Sequence, residues 1–120
     1  MAQETRRYGR PWVPRADIYE TEDHVVLQLD VPGVNPETID IQCEKGMLNI
    51  KGERLFGGNA PERKYYRVEN VYGPFERYFE LPRTLDSSNV EATYRDGVLT
   101  LTFPKTEEAK PKKIEIKVAE

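Results

Sequence analysis

The apolar residues of this chain alternate with polar ones in short runs that glycine and proline interrupt. In residues 25–31, Val25, Leu27 and Leu29 share one phase, and Gln28 and Asp30 share the other. A period of two residues is the spacing of side chains on one face of a β-strand, and no run shows a sustained helical period. The pattern predicts strands at residues 16–21, 25–31, 38–43, 47–52, 75–81, 90–94 and 98–103.

The segments between these runs have the composition of turns. Residues 22–24 separate the first two strands, while Glu44-Lys45-Gly46 and Arg95-Asp96-Gly97 suit hairpins, the second through its Asp-Gly pair. Residues 32–36 end the second strand, because their two prolines lack the donors that a strand ladder needs. So many short strands with frequent turns predict an all-β, antiparallel two-sheet sandwich at residues 16–105.

Composition narrows the class of protein. The 120 residues fit one domain, and the net charge of -3 comes from interspersed acids and bases. The charges form no basic face of the kind that binds nucleic acid, and no apolar run is long enough for a membrane span. Residues 1–15 form a short, polar N-terminal arm without the apolar core of a signal peptide. We therefore expect a cytoplasmic protein.

Candidate catalytic chemistry is sparse. Cys43 is the only cysteine and lies in an alternating run, which predicts a small buried hydrophobe. His24, the only histidine, falls in a predicted turn and has no partners that would indicate a triad. Gly57 and Gly58 are not followed by the Lys-Ser or Lys-Thr of a phosphate-binding loop. We predict no catalytic residue, no metal site and no cofactor.

Residues 54–74 form a connection too long for an ordinary hairpin. Within it, residues 64–68 have strand composition and are suited to pair with a neighbouring subunit; a locally packed or mobile loop is the alternative. Beyond it, Arg77 shares the apolar phase of Phe75 and Phe79, where a guanidinium needs a charged partner or carbonyl groups.

The C-terminal segment, residues 106–120, begins as a Lys- and Glu-rich flexible tether. Ile114, Ile116 and Val118 then alternate with Glu115 and Lys117, a pattern that predicts a short amphipathic strand. Such a strand can add to an exposed sheet edge of another subunit. The alternative is a final strand that pairs within its own subunit.

Four ordered motifs resemble those of alpha-crystallin-domain proteins, the small heat-shock proteins, in their bacterial and plant subtype. They are Val31-Pro32-Gly33-Val34, the segment 73–82, the segment 96–105 and Ile114-Glu115-Ile116. The resemblance implies an immunoglobulin-like sandwich with flexible N- and C-terminal extensions, which forms dimers and higher homo-oligomers. It also implies an ATP-independent holdase for unfolded client proteins, with ATP-driven refolding chaperones as further partners.

The same resemblance implies roles for particular residues. It makes Ile114 and Ile116 an oligomerisation anchor, and it makes residues 54–74 the source of a dimer-swapped strand. The groove that receives the anchor would contain Ile39, Ile41, Val90 and Ala92. The dimer interface would contain Arg77, Tyr65, Tyr66 and Val68.

Two other functional classes are compatible with the sequence. The aromatic residues between Tyr65 and Phe79 could form a carbohydrate- or peptide-binding platform. A CS-type co-chaperone, which acts as an adaptor, has a similar sandwich. The long connection and the Ile114-Glu115-Ile116 motif count against the adaptor. The short N-terminal arm departs from the longer, apolar arm that the family often carries.

Overall fold

A computed structural model describes residues 12–107 and 113–119 of the chain. The described residues form seven β-strands in two antiparallel sheets, and the predicted all-β sandwich is confirmed. One sheet has the order β1-β2-β7-β6, and the other has the order β3-β4-β5. The strands are β1 (Ala16–Glu20), β2 (His24–Asp30), β3 (Asp40–Glu44), β4 (Met47–Arg54), β5 (Gly73–Glu80), β6 (Glu91–Arg95) and β7 (Val98–Pro104).

The core lies between the two sheets and is built from the apolar phase of each strand. Leu29 of β2, Ile50 of β4 and Leu101 of β7 are each 0% exposed. Every second residue of these strands points inward, as their period of two requires. The other residues of this core are Leu27, Val31, Val34, Leu48, Phe75, Leu85, Leu99 and Phe103. Val26 is also buried, but it lies on the opposite phase of β2.

Capping side chains move two strand boundaries away from the predicted ones. Thr38, predicted to begin a strand, instead ends a 3-10 turn at Pro36–Thr38. The Asn35 side chain caps this turn by accepting the Glu37 N–H at 3.0 Å. Val90, predicted to begin another strand, follows the 3-10 turn Ser87–Asn89, and β6 starts one residue later. His24 also differs, because it begins β2 rather than ending the preceding turn.

The two predicted hairpins are present, and their turns have backbone angles that few residues adopt. Lys45 and Gly46 have φ values of 52° and 78°, and Asp96 and Gly97 have values of 54° and 80°. Consecutive positive φ angles define the type I′ turn, whose twist matches that of the flanking strands. A Cβ atom at Gly97 would also lie 3.1 Å from the Pro32 backbone, so both the positive φ and this close approach disfavour a side chain here.

The segment before β1 fixes how the two sheets are placed. The Trp12 N–H donates to the Pro74 carbonyl at 3.0 Å, and the Trp12 ring meets that of Phe75 edge-on at 5.4 Å. Pro14 is fully buried. These contacts bring the β1 edge beside the β5 edge, so the opposite edges, β3 and β6, lie on the other side of the sandwich. Of the predicted arm, residues 12–15 therefore pack on the sandwich, and residues 1–11 lie outside the described part.

Candidate assembly site

The end of the chain exposes three alternating apolar side chains. Ile114, Ile116 and Val118 are 87%, 91% and 88% exposed. The described residues of this segment, 113–119, form no strand, so the alternative of a final strand within the same subunit does not occur in this structure. Part of the predicted tether, residues 108–112, lies outside the described residues.

The base of this segment is fixed to the sandwich. Lys105 forms an isolated antiparallel bridge with Leu85 directly after β7. Its ammonium group lies 2.9 Å from a Glu20 carboxylate oxygen, and its side chain is 13% exposed. The chain therefore leaves the domain from a defined point.

The four residues predicted to form the groove lie along the side where β3 and β6 end their sheets. Ile41 of β3 and Ile39 just before it are half-buried and pack against the core. Ala92 of β6 is exposed, although it pairs with the inward-facing Leu101, and Val90 is 36% exposed. The structure brings these residues to one open side, and their contact with the tail remains a prediction.

Two further residues belong to this side and were missed as groove residues. Cys43 shares the inward phase of Ile41 on β3, and Tyr94 shares the phase of Ala92 on β6. Both are partly buried against the core. The Tyr94 hydroxyl donates to the Val31 carbonyl at 3.0 Å, which fixes its ring. Their phase along the strands was the available signal.

The long connection between β4 and β5 contains a local aromatic cluster. The Phe56 ring lies 5.1 Å from that of Tyr65 and 5.0 Å from that of Tyr72. Residues 64–68 form no strand in this single chain. Tyr66 is 89% exposed and Val68 is half-buried. The connection is thus packed on itself through Phe56, while Tyr66 is left on the surface.

Arg77 obtains a carbonyl partner from its own chain. Its guanidinium donates to the Pro14 carbonyl at 2.6 Å and lies 4.7 Å from the centre of the Phe79 ring. A charge on the inward phase is tolerated here because it is hydrogen-bonded and half-buried. A role for Arg77 in a dimer remains a prediction.

The β1 edge offers a second open surface. Ile18 and Tyr19 are 55% and 48% exposed, and in the described residues β1 pairs only with β2. An exposed strand edge with free backbone groups is a template for another strand.

A hydrogen-bonded group on the outer face of the smaller sheet shifts two pKa values. The Tyr78 hydroxyl and the Asn49 amide donate to the Glu76 carboxylate at 2.9 and 3.0 Å, and they lower the pKa of Glu76. The same bond to Glu76 raises the pKa of Tyr78, because it stabilises the protonated hydroxyl. The described residues contain no cluster of three or more side chains suited to a metal ion. They also include no helix long and apolar enough to cross a membrane.

Comparison with known proteins identifies the family. The model of the Hsp20/alpha crystallin family matches residues 17–119. Small heat shock protein C2 of Rickettsia felis is 35% identical over 88% of this chain and 68% of its own length. Small heat shock protein C4 of the same organism is 36% identical over 86% of this chain and 63% of its own length. The chain thus spans about two thirds of these relatives.

A solved structure agrees with the sequence relatives. The crystal structure of a small heat-shock protein from Xylella fastidiosa superposes with a TM-score of 0.77 at 38% sequence identity. The superposition covers 91% of this chain and 100% of that chain. That structure is described as having a distinct high order structure. The resemblance predicted from the four motifs is confirmed: this chain belongs to the Hsp20/alpha crystallin family and has the β-sandwich of the small heat-shock proteins.

Proposed function

We propose that this protein is an ATP-independent holdase chaperone that binds partly unfolded proteins and prevents their aggregation. The observation that carries the proposal is the nearly complete exposure of Ile114 and Ile116, on a segment with the alternation of a strand, in a molecule with open sheet edges. Such a segment is suited to join the β3 and β6 side of another subunit. The exposed apolar surfaces are then covered by self-association or by a client.

The magnitudes favour reversible docking. Burying two isoleucines contributes about 3–6 kcal/mol, at roughly 1.5–3 kcal/mol for each side chain. Ordering the backbone costs about 1–2 kcal/mol per residue, so a single docked tail is marginally stable. Several tails acting together hold an oligomer through their effective concentration. Heating would release them and open the grooves to unfolded chains, which the protein binds without nucleotide.

The building block of this assembly would be a dimer. Residues 54–74 would extend so that Tyr65, Tyr66 and Val68 reach the β1 edge of the partner, where Ile18 is exposed. Arg77 would stabilise that interface from the neighbouring β5. The domain at 16–105, the arm and the tail would thus have separate roles. We expect the protein to act in the cytoplasm and to pass clients to ATP-driven refolding chaperones.

Light scattering of a heat-labile client without ATP tests the proposal. At an equimolar ratio, the full chain should delay client aggregation, and its own mass should exceed that of a dimer. Ile114→Ala combined with Ile116→Ala should reduce that mass to the dimer, because the anchor is lost. Val13→Ala, which truncates a side chain that is 66% exposed elsewhere, is the control and should leave the mass unchanged. Client aggregation with no delay by the wild-type chain would refute the holdase function.

A further inference from the structure

The outer face of β3 carries a row of charged and neutral side chains next to the open groove. Asp40, Gln42 and Glu44 are exposed, and they share this face at a spacing of two residues. In the described residues, β3 pairs only with β4, so its other edge is free. Lys51 stands opposite Asp40 on β4, but among the described residues neither Asp40 nor Glu44 forms an ion pair.

The tail carries the complementary row. Lys113, Glu115 and Lys117 alternate with the two isoleucines, and all three are exposed. Their spacing of two residues equals that of the row on β3. Along the tail the charges are positive, negative and positive. Along the row on β3 they are negative, neutral and negative.

We infer that the tail of a second copy joins the free edge of β3 in one register, with Lys113 and Lys117 opposite Asp40 and Glu44. This inference rests on the proposed tail docking and specifies its geometry. When the isoleucines face the groove, the polar residues of an added strand lie on the same face as the acidic row. Residues directly opposite on neighbouring strands interact, and opposite charges there are favourable. Glu115 then faces the amide of Gln42, of which one N–H donates to Asp40 at 3.2 Å and the other can donate to Glu115.

The same charges disfavour other registers and the β6 edge. A shift by two residues, which keeps the isoleucines in the groove, places Glu115 opposite Asp40 or Glu44 and sets like charges together. On β6 the corresponding outer row is Glu91, Thr93 and Arg95, which are all exposed. With the two tail lysines opposite Glu91 and Arg95, one lysine would lie opposite Arg95, and the two like charges would repel. The charge pattern therefore selects both the strand and the register.

The β5 edge has a similar outer row but a different inner face. Glu76 and Glu80 have the spacing of the acidic pair on β3. The inward phase of β5 carries Arg77, which would oppose isoleucines, and Trp12 already donates to the Pro74 carbonyl at the start of this edge. Among the sheet edges formed by residues 12–107, only that of β3 combines an apolar inner phase with two acids at the required spacing.

A charge-swap cycle on the full chain tests the inference. The concentration at which the assembly dissociates is measured by light scattering at low ionic strength, for K113E/K117E, for D40K/E44K and for all four changes together. Each pair should raise that concentration about tenfold, because two favourable cross-strand pairs become unfavourable. The fourfold variant should return to within about threefold of the wild type. A fourfold variant at least as weak as either pair would overturn the inference.

Two further variants control for charge and for folding. E76K/E80K makes the same charge change on the β5 edge and should leave the dissociation concentration unchanged. D40N/E44Q removes the acids without adding lysines beside Lys51, and it should weaken the assembly by about threefold. Equal weakening by E76K/E80K and D40K/E44K would count against the inference, because it would indicate an effect of net charge alone.

The Ile114→Ala and Ile116→Ala variant separates this inference from the proposed function. If that variant remains assembled, tail docking itself fails, and the register fails with it. If it dissociates while the charge swaps show no coupling, docking stands and only the register is refuted.

Discussion

Strand β2 and the tail have the same alternation of apolar and polar residues, but their apolar side chains end in opposite environments. Leu27 and Leu29 of β2 are 1% and 0% exposed, whereas Ile114 and Ile116 are 87% and 91% exposed. The difference is that β2 has neighbours within its own sheet, β1 and β7, and a second sheet against its inner face. The same alternation thus accompanies a buried strand in β2 and an exposed segment without strand pairing in the tail, and the presence of neighbouring strands within the subunit accounts for the difference.

This comparison implies that truncations in the two regions affect different properties. A change in β2 is expected to act on the folding of one subunit, while the same change in the tail is expected to act on the proposed association of several. The three variants below test this division in order of decreasing effect on the free energy of unfolding. Each measurement uses urea at a protein concentration where the assembly has dissociated, because association otherwise adds to apparent stability.

Leu29→Ala should have the largest effect. It removes a fully buried side chain from the centre of the core, and such truncations lower the free energy of unfolding by about 2–5 kcal/mol. The midpoint of the urea transition, followed by circular dichroism, should fall accordingly. A loss below about 1 kcal/mol would mean that the core tolerates this cavity, and it would contradict the expected difference between truncations in β2 and in the tail.

Arg77→Met should have an intermediate effect. The variant keeps much of the packing against Phe79 but leaves the Pro14 carbonyl without its donor, a loss of about 1.5–3 kcal/mol for a hydrogen bond to a charged group. The matched control is Arg95→Met, since the Arg95 side chain is 90% exposed. The control should unfold at the wild-type urea concentration. Equal shifts for the two variants would contradict a specific role for the Arg77 contact.

Ile114→Ala with Ile116→Ala should have the smallest effect on unfolding. Both side chains are already in solvent, so the free energy of unfolding of the isolated sandwich should change by less than about 0.5 kcal/mol. The variant removes apolar carbons from the same kinds of side chain as Leu29→Ala. A urea midpoint lowered as far as that of Leu29→Ala would show that the tail packs within its own subunit.

The strands could be predicted from sequence because each has a clear period of two and ends near glycine or proline. All seven were placed to within about two residues at each end, the usual uncertainty of such boundaries. The misplaced starts at Thr38 and Val90 arose from the side chains of Asn35 and Asp86, which cap short 3-10 turns. Capping is a local contact that competes with strand pairing and leaves the alternation of apolar residues unchanged.

The candidate site could be predicted only in part. The alternation predicted the exposed apolar residues of the tail as a distinct segment, while the groove residues named from the family resemblance stay a prediction. The closure of the β1 and β5 side by Trp12 and Pro14 could not, because a few residues before a strand have no period. Contacts of the Phe56 cluster are also non-local, and composition alone does not reveal which aromatic rings meet.

The bridge to Leu85 and the ion pair with Glu20 hold Lys105 against the sandwich, so the tail starts from a fixed point. Ile114 follows Lys105 by nine positions, so it can lie at most about 30 Å from Lys105 when the chain between them is fully extended. Ile114 cannot reach a groove of another subunit that lies farther than this from Lys105. If tails join the subunits as proposed, the length of this connection sets an upper limit on the distance between Lys105 of one subunit and the groove of the next.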